Sequence, residues 1–332
     1  MKTRKLGRDG PDCFPVGIGA MSFSDFYGAT SEAESHAILD AAMALGVNHI
    51  DTANVYGMGR SETAIGTYLI ARPEARDHFS IATKAAITRD ENGKRRFDNS
   101  AAHLEAELDR SLSRLGVEAV DLFYVHRRDA DVPIEDVTGA LAGLVAKGKT
   151  RSIGFSEIAP SSLRRAHAVH SVAAVQSEYS LSTRSPEMGL VQTCAELGVA
   201  LVAFSPVGRS LLTDHPLSIE AVQKLPFLAT NARFQEPNYS ANIAQIHGFQ
   251  KLAAEMGVPA AALAIGWLLA QGDHVIPIPG TRSVGHFHEL IRGAELELSA
   301  NDLAEIEKVL PVGWAHGDRY SADQWVGPER YC

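Results

Sequence analysis

Cysteine is scarce in this chain: there are three, Cys13, Cys194 and Cys332, odd in number and far apart. None forms a CxxC or Cys/His metal pattern, which argues against a disulfide framework and against structural zinc. Positive charge is not in excess either, since 31 Lys and Arg face 40 Asp and Glu for a net charge of −9. A nucleic-acid partner would leave a basic stripe, and the one basic run, GKRRF at 93–97, reads as a solvated loop. No apolar run reaches the roughly 20 residues of a membrane span. The longest uncharged one, MGVPAAALAIGWLLAQG at 256–272, is broken by Pro259, Gly266 and Gln271 and reads as a buried helix. The basic opening MKTRKLGRDG has no apolar core of signal-peptide length. These absences lead us to expect a soluble protein of a reducing compartment, placed in the cytoplasm, without nucleic-acid or membrane partners. Monomer and homo-oligomer both stay open. The 332 residues, 45% hydrophobic and 21% charged, are an ordinary globular balance.

What is abundant is alternation. Eight strand-like runs lie at 14–20, 48–53, 79–85, 120–126, 150–156, 173–179, 200–206 and 274–280, with helical patterns between them. One helix places Ala37, Ile38, Ala41, Ala42 and Leu45 on one face and stops at Gly46. Another carries a Leu104, Leu108, Leu112 and Leu115 stripe ended by Gly116, and a third runs from Pro133 to Gly148. Strand–helix alternation implies parallel strands with right-handed crossovers. Eight units without a Pro/Gly/Ser-rich linker predict an α/β fold, a single (β/α)8 TIM barrel over residues 1–332. Between strands 7 and 8 the spacing widens, leaving room for a long loop at 208–240 and an extra helix at 241–256. A last helix and a tail bearing Trp314, Tyr320 and Trp325 follow. The rival, an open dinucleotide-binding sheet, fails on its fingerprint: GIGAMS puts Ser22 where the third glycine belongs, and no acidic residue sits about 20 positions on at the end of the second strand, where Asp51 comes too late.

Barrel active sites form at the C-terminal ends of the strands. Strand 2 ends in Asp51 with Tyr56 just beyond, strand 3 near Lys84 and strand 4 at His126. Each has a bland reading alone, as a turn cap, a rim aromatic or a core histidine. Lys84 within IATKAAI needs a partner to be buried, and Asp51 is the nearest. Together they suit proton donation to a carbonyl oxygen. A free tyrosine has a pKa of about 10, and a nearby ammonium favours its ionised form. No side chain supplies hydride, so a carbonyl reduction needs a nicotinamide. Ser156 and Gln176 can bond a carboxamide, and Phe204 offers a face for a ring. The PGTRS segment at 279–283, with Gly280, Thr281 and Arg282, has the makings of an anion site.

The segments HIDTANVYGMGRSE, IATKAA, VDLFYVHRRD, RSIGFSE, AAVQSEYSL, AFSPVGR and IPGTRS, in this order, resemble the aldo-keto reductase family over nearly the full length. The resemblance is nearest to bacterial and plant members with a long loop after strand 7. It implies NADPH-dependent reduction of an aldehyde or ketone, with NADP(H) as cofactor and NAD(H) as second choice. By the same analogy Tyr56 is the proton donor and Asp51, Lys84 and His126 complete a tetrad. Ser156 and Gln176 would hold the carboxamide, Phe204 would stack on the nicotinamide, and Ser205 and Gly208 would meet the pyrophosphate. Arg282 would meet the 2′-phosphate, with His286 and Glu289 nearby. Departures from the family pattern are Glu157 for a frequent Asn, His286 for an arginine, Leu290 for an Asn and Phe204 for a tyrosine. The substrate pocket is expected to be rimmed by Phe23, Phe26 and Tyr27, by Arg127 and Arg128, and by the 208–240 loop. The two arginines suggest tolerance of polar or anionic substrates. Two other readings stay open: a Schiff-base aldolase using Lys84, and a protein that holds NADPH as a redox sensor.

Overall fold

A computed structural model describes residues 2–331; Cys332 lies outside the described residues. Eight parallel strands run in chain order around one sheet: β1 (Ile18–Gly19), β2 (His49–Asp51), β3 (Ser80–Ala85), β4 (Leu122–Val125), β5 (Ile153–Ser156), β6 (Ala174–Glu178), β7 (Ala200–Phe204) and β8 (Val275–Pro277). Backbone bonds from Gly17 N to Pro277 O and from Gly19 N to Pro279 O, each 2.9 Å, join the first segment to the last and close the barrel. Helices α1 (Glu32–Leu45), α2 (Arg60–Ala71), α3 (Ala101–Leu115), α4 (Ile134–Ala146), α5 (Pro160–Val169) and α6 (Leu190–Leu197) follow the first six strands. The long passage after β7 contains short helical turns and then α7 (Asn238–Glu255), before α8 (Ala260–Leu269) leads to β8. Helices α9 (Val284–Arg292) and α10 (Ala300–Val309) complete the order.

The strand period of two decides what points where. Ala82, Leu122, Tyr124, Ala174, Ala200, Val202 and Ile276 fill the interior, and the alternate residues Phe123, Val125, Val175, Leu201 and Ala203 face the helices. Gly154 is required in that interior, because a Cβ there would stand 2.6 Å from the Tyr124 ring. A hairpin of Arg4–Lys5 and Asp12–Cys13 supplies Leu6 and Cys13 to the same cluster.

Some local expectations shift. The buried face of α1 is Ser35, Ile38, Leu39 and Ala42, the ideal i, i+3, i+4, i+7 stripe; Ala37 is exposed, its small side chain giving little reason to turn inward. The extra helix after β7 begins at Asn238, not at 241, and within the 256–272 run α8 is buried from Ala260 to Leu268. The 93–97 run is not a plain loop: Arg95–Phe97 pairs with Ile87–Arg89 in a hairpin, which buries Phe97 and aims Arg95 at the C-terminal tail. Among the described residues no single helix is long and apolar enough to cross a membrane.

Candidate active site

The inward register continues past the apolar layers into polar residues. Lys84 follows Ala82 by two, His126 follows Tyr124, Gln176 follows Ala174 and Phe204 follows Val202, so all share the interior parity. Lys84 has no solvent exposure, and its ammonium donates to the Asp51 carboxylate, to Thr52 O at 2.8 Å and to the Tyr56 hydroxyl oxygen at 3.3 Å. Burial alone would lower its pKa, but Asp51 and Tyr56 outweigh that and hold it above the ordinary value. A lysine ammonium has three donors, and all are spent here. Tyr56 therefore accepts from Lys84, which leaves its own proton free for something else. The second Asp51 oxygen accepts from Gln176 Nε2 at 2.8 Å.

The His126 ring meets Tyr56 edge-on, with centroids 5.7 Å apart, and its Nδ1 is buried with no hydrogen-bond partner among the described residues. Burial, with the positive charges of Arg127, Lys84 and Arg95, keeps its pKa well below the usual imidazole value. His126 is thus neutral near pH 7. His49, beneath the site, is likewise depressed by burial. For such groups the unfolded chain takes up protons first, so stability is complete above about pH 6.5 and declines as pH falls below it. Acidification from pH 7 to pH 5 is expected to lower Tm by several degrees in scanning calorimetry, with a shallower slope for His126→Gln. A flat profile in the wild type would contradict the depressed histidines.

Asn54, although beside this group in sequence, turns away and donates to Glu107 at 2.7 Å. Phe23, expected at the rim, is buried in the hydrophobic core within the short turn Ala20–Ser24. The exposed Phe26 takes the outer position, with its ring 5.0 Å from Tyr27 and 5.3 Å from Phe227 of the long loop. Arg128 is not free for an anion: it pairs with Glu329 and donates to Val132 O. Arg127 is engaged as well, at His126 O (2.7 Å), Ser156 Oγ (3.0 Å) and Tyr320 OH (3.5 Å).

A cradle lies along the later strands. The Ser156 side chain is buried at the end of β5 and that of Gln176 in the middle of β6, and Phe204 is half-buried at the end of β7. Beyond it Ser205, Gly208, Arg209 and Ser210 all take positive φ, an uncommon cluster that gathers at functional turns. Gly208 is favoured there, by its φ of +59° and because a Cβ would stand 2.9 Å from Ser182 Oγ. After β8, Gly280 and Arg282 are exposed and Thr281 is half-buried; Arg282 donates to Ala29 O at 2.7 Å, and Ser283 caps α9. His286 is exposed and Glu289 half-buried on α9, whereas Leu290 belongs to the core. These hydroxyl, amide, aromatic and guanidinium groups fit a dinucleotide. No cluster of three His, Cys, Asp or Glu suited to a metal occurs among the described residues.

The aldo/keto reductase family model matches residues 15–311. The chain belongs to that family. It is an oxidoreductase of the carbonyl–alcohol couple, acting on small carbonyl compounds. The reductase is 35% identical to the aldo-keto reductase yakc [NADP(+)] of Schizosaccharomyces pombe, over 96% of this chain and 94% of that one. It is 36% identical to a probable aldo-keto reductase of Glycine max, over 95% and 91% of the two chains. Among solved structures it resembles a glycerol dehydrogenase of Gluconobacter oxydans, at TM-score 0.81 and 27% identity over 93% of this chain and 95% of that one. It also resembles the holo form of an aldo-keto reductase of Bacillus halodurans, at TM-score 0.76 and 27% identity over 98% and 99%.

One part of the reductase escaped sequence reasoning. Glu157, at φ +57°, pairs with Arg319 of the C-terminal tail and accepts from Ser177 Oγ and Glu178 N. Glu178 in turn pairs with Arg209 at 2.6 Å and Arg319 at 3.4 Å. Tyr320 and Trp325 lie against the Arg319 guanidinium at 4.5 and 4.6 Å. The tail therefore packs against the ends of β5 and β6. The legible signal was Glu178, which shares the inward parity of Gln176.

Proposed function

We propose that the protein reduces an aldehyde or ketone to the alcohol with NADP(H), and that Tyr56 is the general acid. The observation that carries this reading is the Lys84 ammonium, buried and charged, with its three donors on Asp51, Thr52 O and the Tyr56 oxygen. When bound, NADP(H) supplies the hydride. Tyr56 gives its proton to the carbonyl oxygen as the carbon is reduced, and Lys84 stabilises the phenolate left behind. Asp51, held by Gln176, keeps Lys84 charged although both side chains are buried. His126, neutral and edge-on to Tyr56, orients the carbonyl oxygen. Ser156 and Gln176 would hold the carboxamide, Phe204 would offer its face to the nicotinamide, and Ser205, Gly208, Gly280 and Thr281 would hold the pyrophosphate. Arg282, with His286 and Glu289 on the helix that follows, would hold the 2′-phosphate. The small carbonyl substrate enters between Tyr27, Phe26, Phe227 and Tyr320, walls that favour aromatic or apolar aldehydes. A Schiff-base lysine needs a depressed pKa; Lys84 is raised and fully bonded, which speaks against the aldolase reading.

The test is oxidation of NADPH and of NADH at 340 nm with an aromatic aldehyde and a dicarbonyl. Turnover with NADPH ahead of NADH is the expected result. Arg282→Ala is expected to raise KM for NADPH about tenfold, the worth of one charge-assisted hydrogen bond, and to leave KM for NADH unchanged. Equal use of both cofactors by the wild type would overturn the 2′-phosphate assignment. Tight binding without turnover would favour the sensor reading.

A further inference from the structure

Arg127 occupies an unusual place for a side chain at a barrel rim. Its guanidinium is half-buried and clasped between three segments. Nη1 donates to His126 O at 2.7 Å and to Ser156 Oγ at 3.0 Å, which uses both of its protons. Nη2 reaches the Tyr320 hydroxyl oxygen at 3.5 Å, and Tyr320 is itself buried. We infer that Arg127 is a positioning residue that fixes the Ser156 hydroxyl as a hydrogen-bond donor toward the dinucleotide carboxamide and ties it to the C-terminal tail through Tyr320. This rests on the dinucleotide reading above.

The argument is one of proton inventory. A serine hydroxyl has one proton and two lone pairs, and its rotor turns to suit its neighbours. Beside a guanidinium N–H the oxygen must accept, so its own proton is directed away from Arg127. A carboxamide oxygen placed there receives that proton. Without Arg127 the rotor is free, and Ser156 can equally present a lone pair, which a carboxamide oxygen repels. The Tyr320 contact extends the chain of bonds to the tail, whose neighbouring Arg319 is locked to Glu157, the residue after Ser156. Cofactor hold and tail packing thus share one group.

The experiment is a double-mutant cycle on the Kd for NADP+, read by quenching of tryptophan fluorescence, for wild type, Arg127→Met, Ser156→Ala and the double variant. Each single change is expected to weaken binding about five- to tenfold, the worth of one hydrogen bond. The double variant is expected to bind no more weakly than Ser156→Ala alone, because the arginine acts through the serine. Arg127→Lys, which keeps charge and stem but not the fork, covers any folding loss in the methionine variant and is expected to recover only part of the affinity. Added guanidinium ion is expected to restore Arg127→Ala. KM for benzaldehyde and for 4-carboxybenzaldehyde should respond alike in Arg127→Met, with no selective rise for the anionic aldehyde. Additive losses in Kd would overturn the inference. So would an unchanged Kd with KM raised for the anionic aldehyde alone, which would make Arg127 a substrate-binding side chain. A wild type that binds neither dinucleotide refutes the reductase reading and this inference together. A wild type that binds and reduces while the losses add overturns the inference alone.

Discussion

Tyr56→Phe is expected to lower kcat by about 10² to 10⁴, the usual worth of a positioned proton donor, with no change in the Kd for NADP+ and no loss of Tm. The substitution removes one oxygen and keeps the ring. Lys84 loses its weakest bond, at 3.3 Å, but keeps Asp51 and Thr52 O, so its charge stays compensated. The ring can still meet His126 edge-on. Lys84→Met is a poorer probe of the same step, because it leaves the Asp51 carboxylate buried with Gln176 as its remaining side-chain partner. Stranding one member of a buried ion pair costs about 3–5 kcal/mol, so that variant mixes lost catalysis with lost folding. Full activity in Tyr56→Phe would remove Tyr56 from the chemistry and reopen the choice of acid.

Arg319→Met is expected to be the most destabilising single change in the tail. Its guanidinium is the cationic partner of the buried Glu157 and a second partner of the buried Glu178, and two aromatic rings stack on it. Burial alone would raise the Glu157 carboxyl pKa; Arg319, with help from Arg127 and the Glu178 amide, instead holds it below the ordinary value. Removing the arginine leaves that carboxylate in a water-poor pocket, at about 3–5 kcal/mol, or on the order of 10 °C in Tm for a chain of this size. Glu178 keeps Arg209, so the damage centres on Glu157. Adding Glu157→Gln to Arg319→Met should recover part of the loss, since an amide is cheaper to bury than an unpaired charge. A Tm change below about 2 °C in the single variant would show that the tail is not held by this network.

The eight strands were legible because they are short apolar runs buried on both faces, separated by helices with clear stops such as Gly46 and Gly116. The residues at the strand ends were legible for a related reason. A lysine inside IATKAAI contradicts its surroundings, and that conflict marked the site before any fold was drawn. The pattern misled where a residue was small or ambidextrous. Ala37 carries too little surface to choose a face, and Phe23 belongs equally to a core or a rim. Arg128 was read as an open charge because its partner Glu329 lies 201 residues away, beyond any local pattern.

The sequence by itself therefore determined the barrel, the family and the inward parity that gathers Asp51, Lys84, His126, Gln176 and Phe204 at one mouth. The barrel and the parity follow from local periodicity, which the chain carries in every few residues, and the family from the motifs that resemble it. Only the tertiary structure decided which charges are spent and which are free. Lys84 has used all its donors, Arg127 is held between Ser156 and Tyr320, and Glu157 is committed to Arg319. Such pairings depend on contacts between segments distant in the chain, where partner choice is set by burial and geometry rather than by spacing.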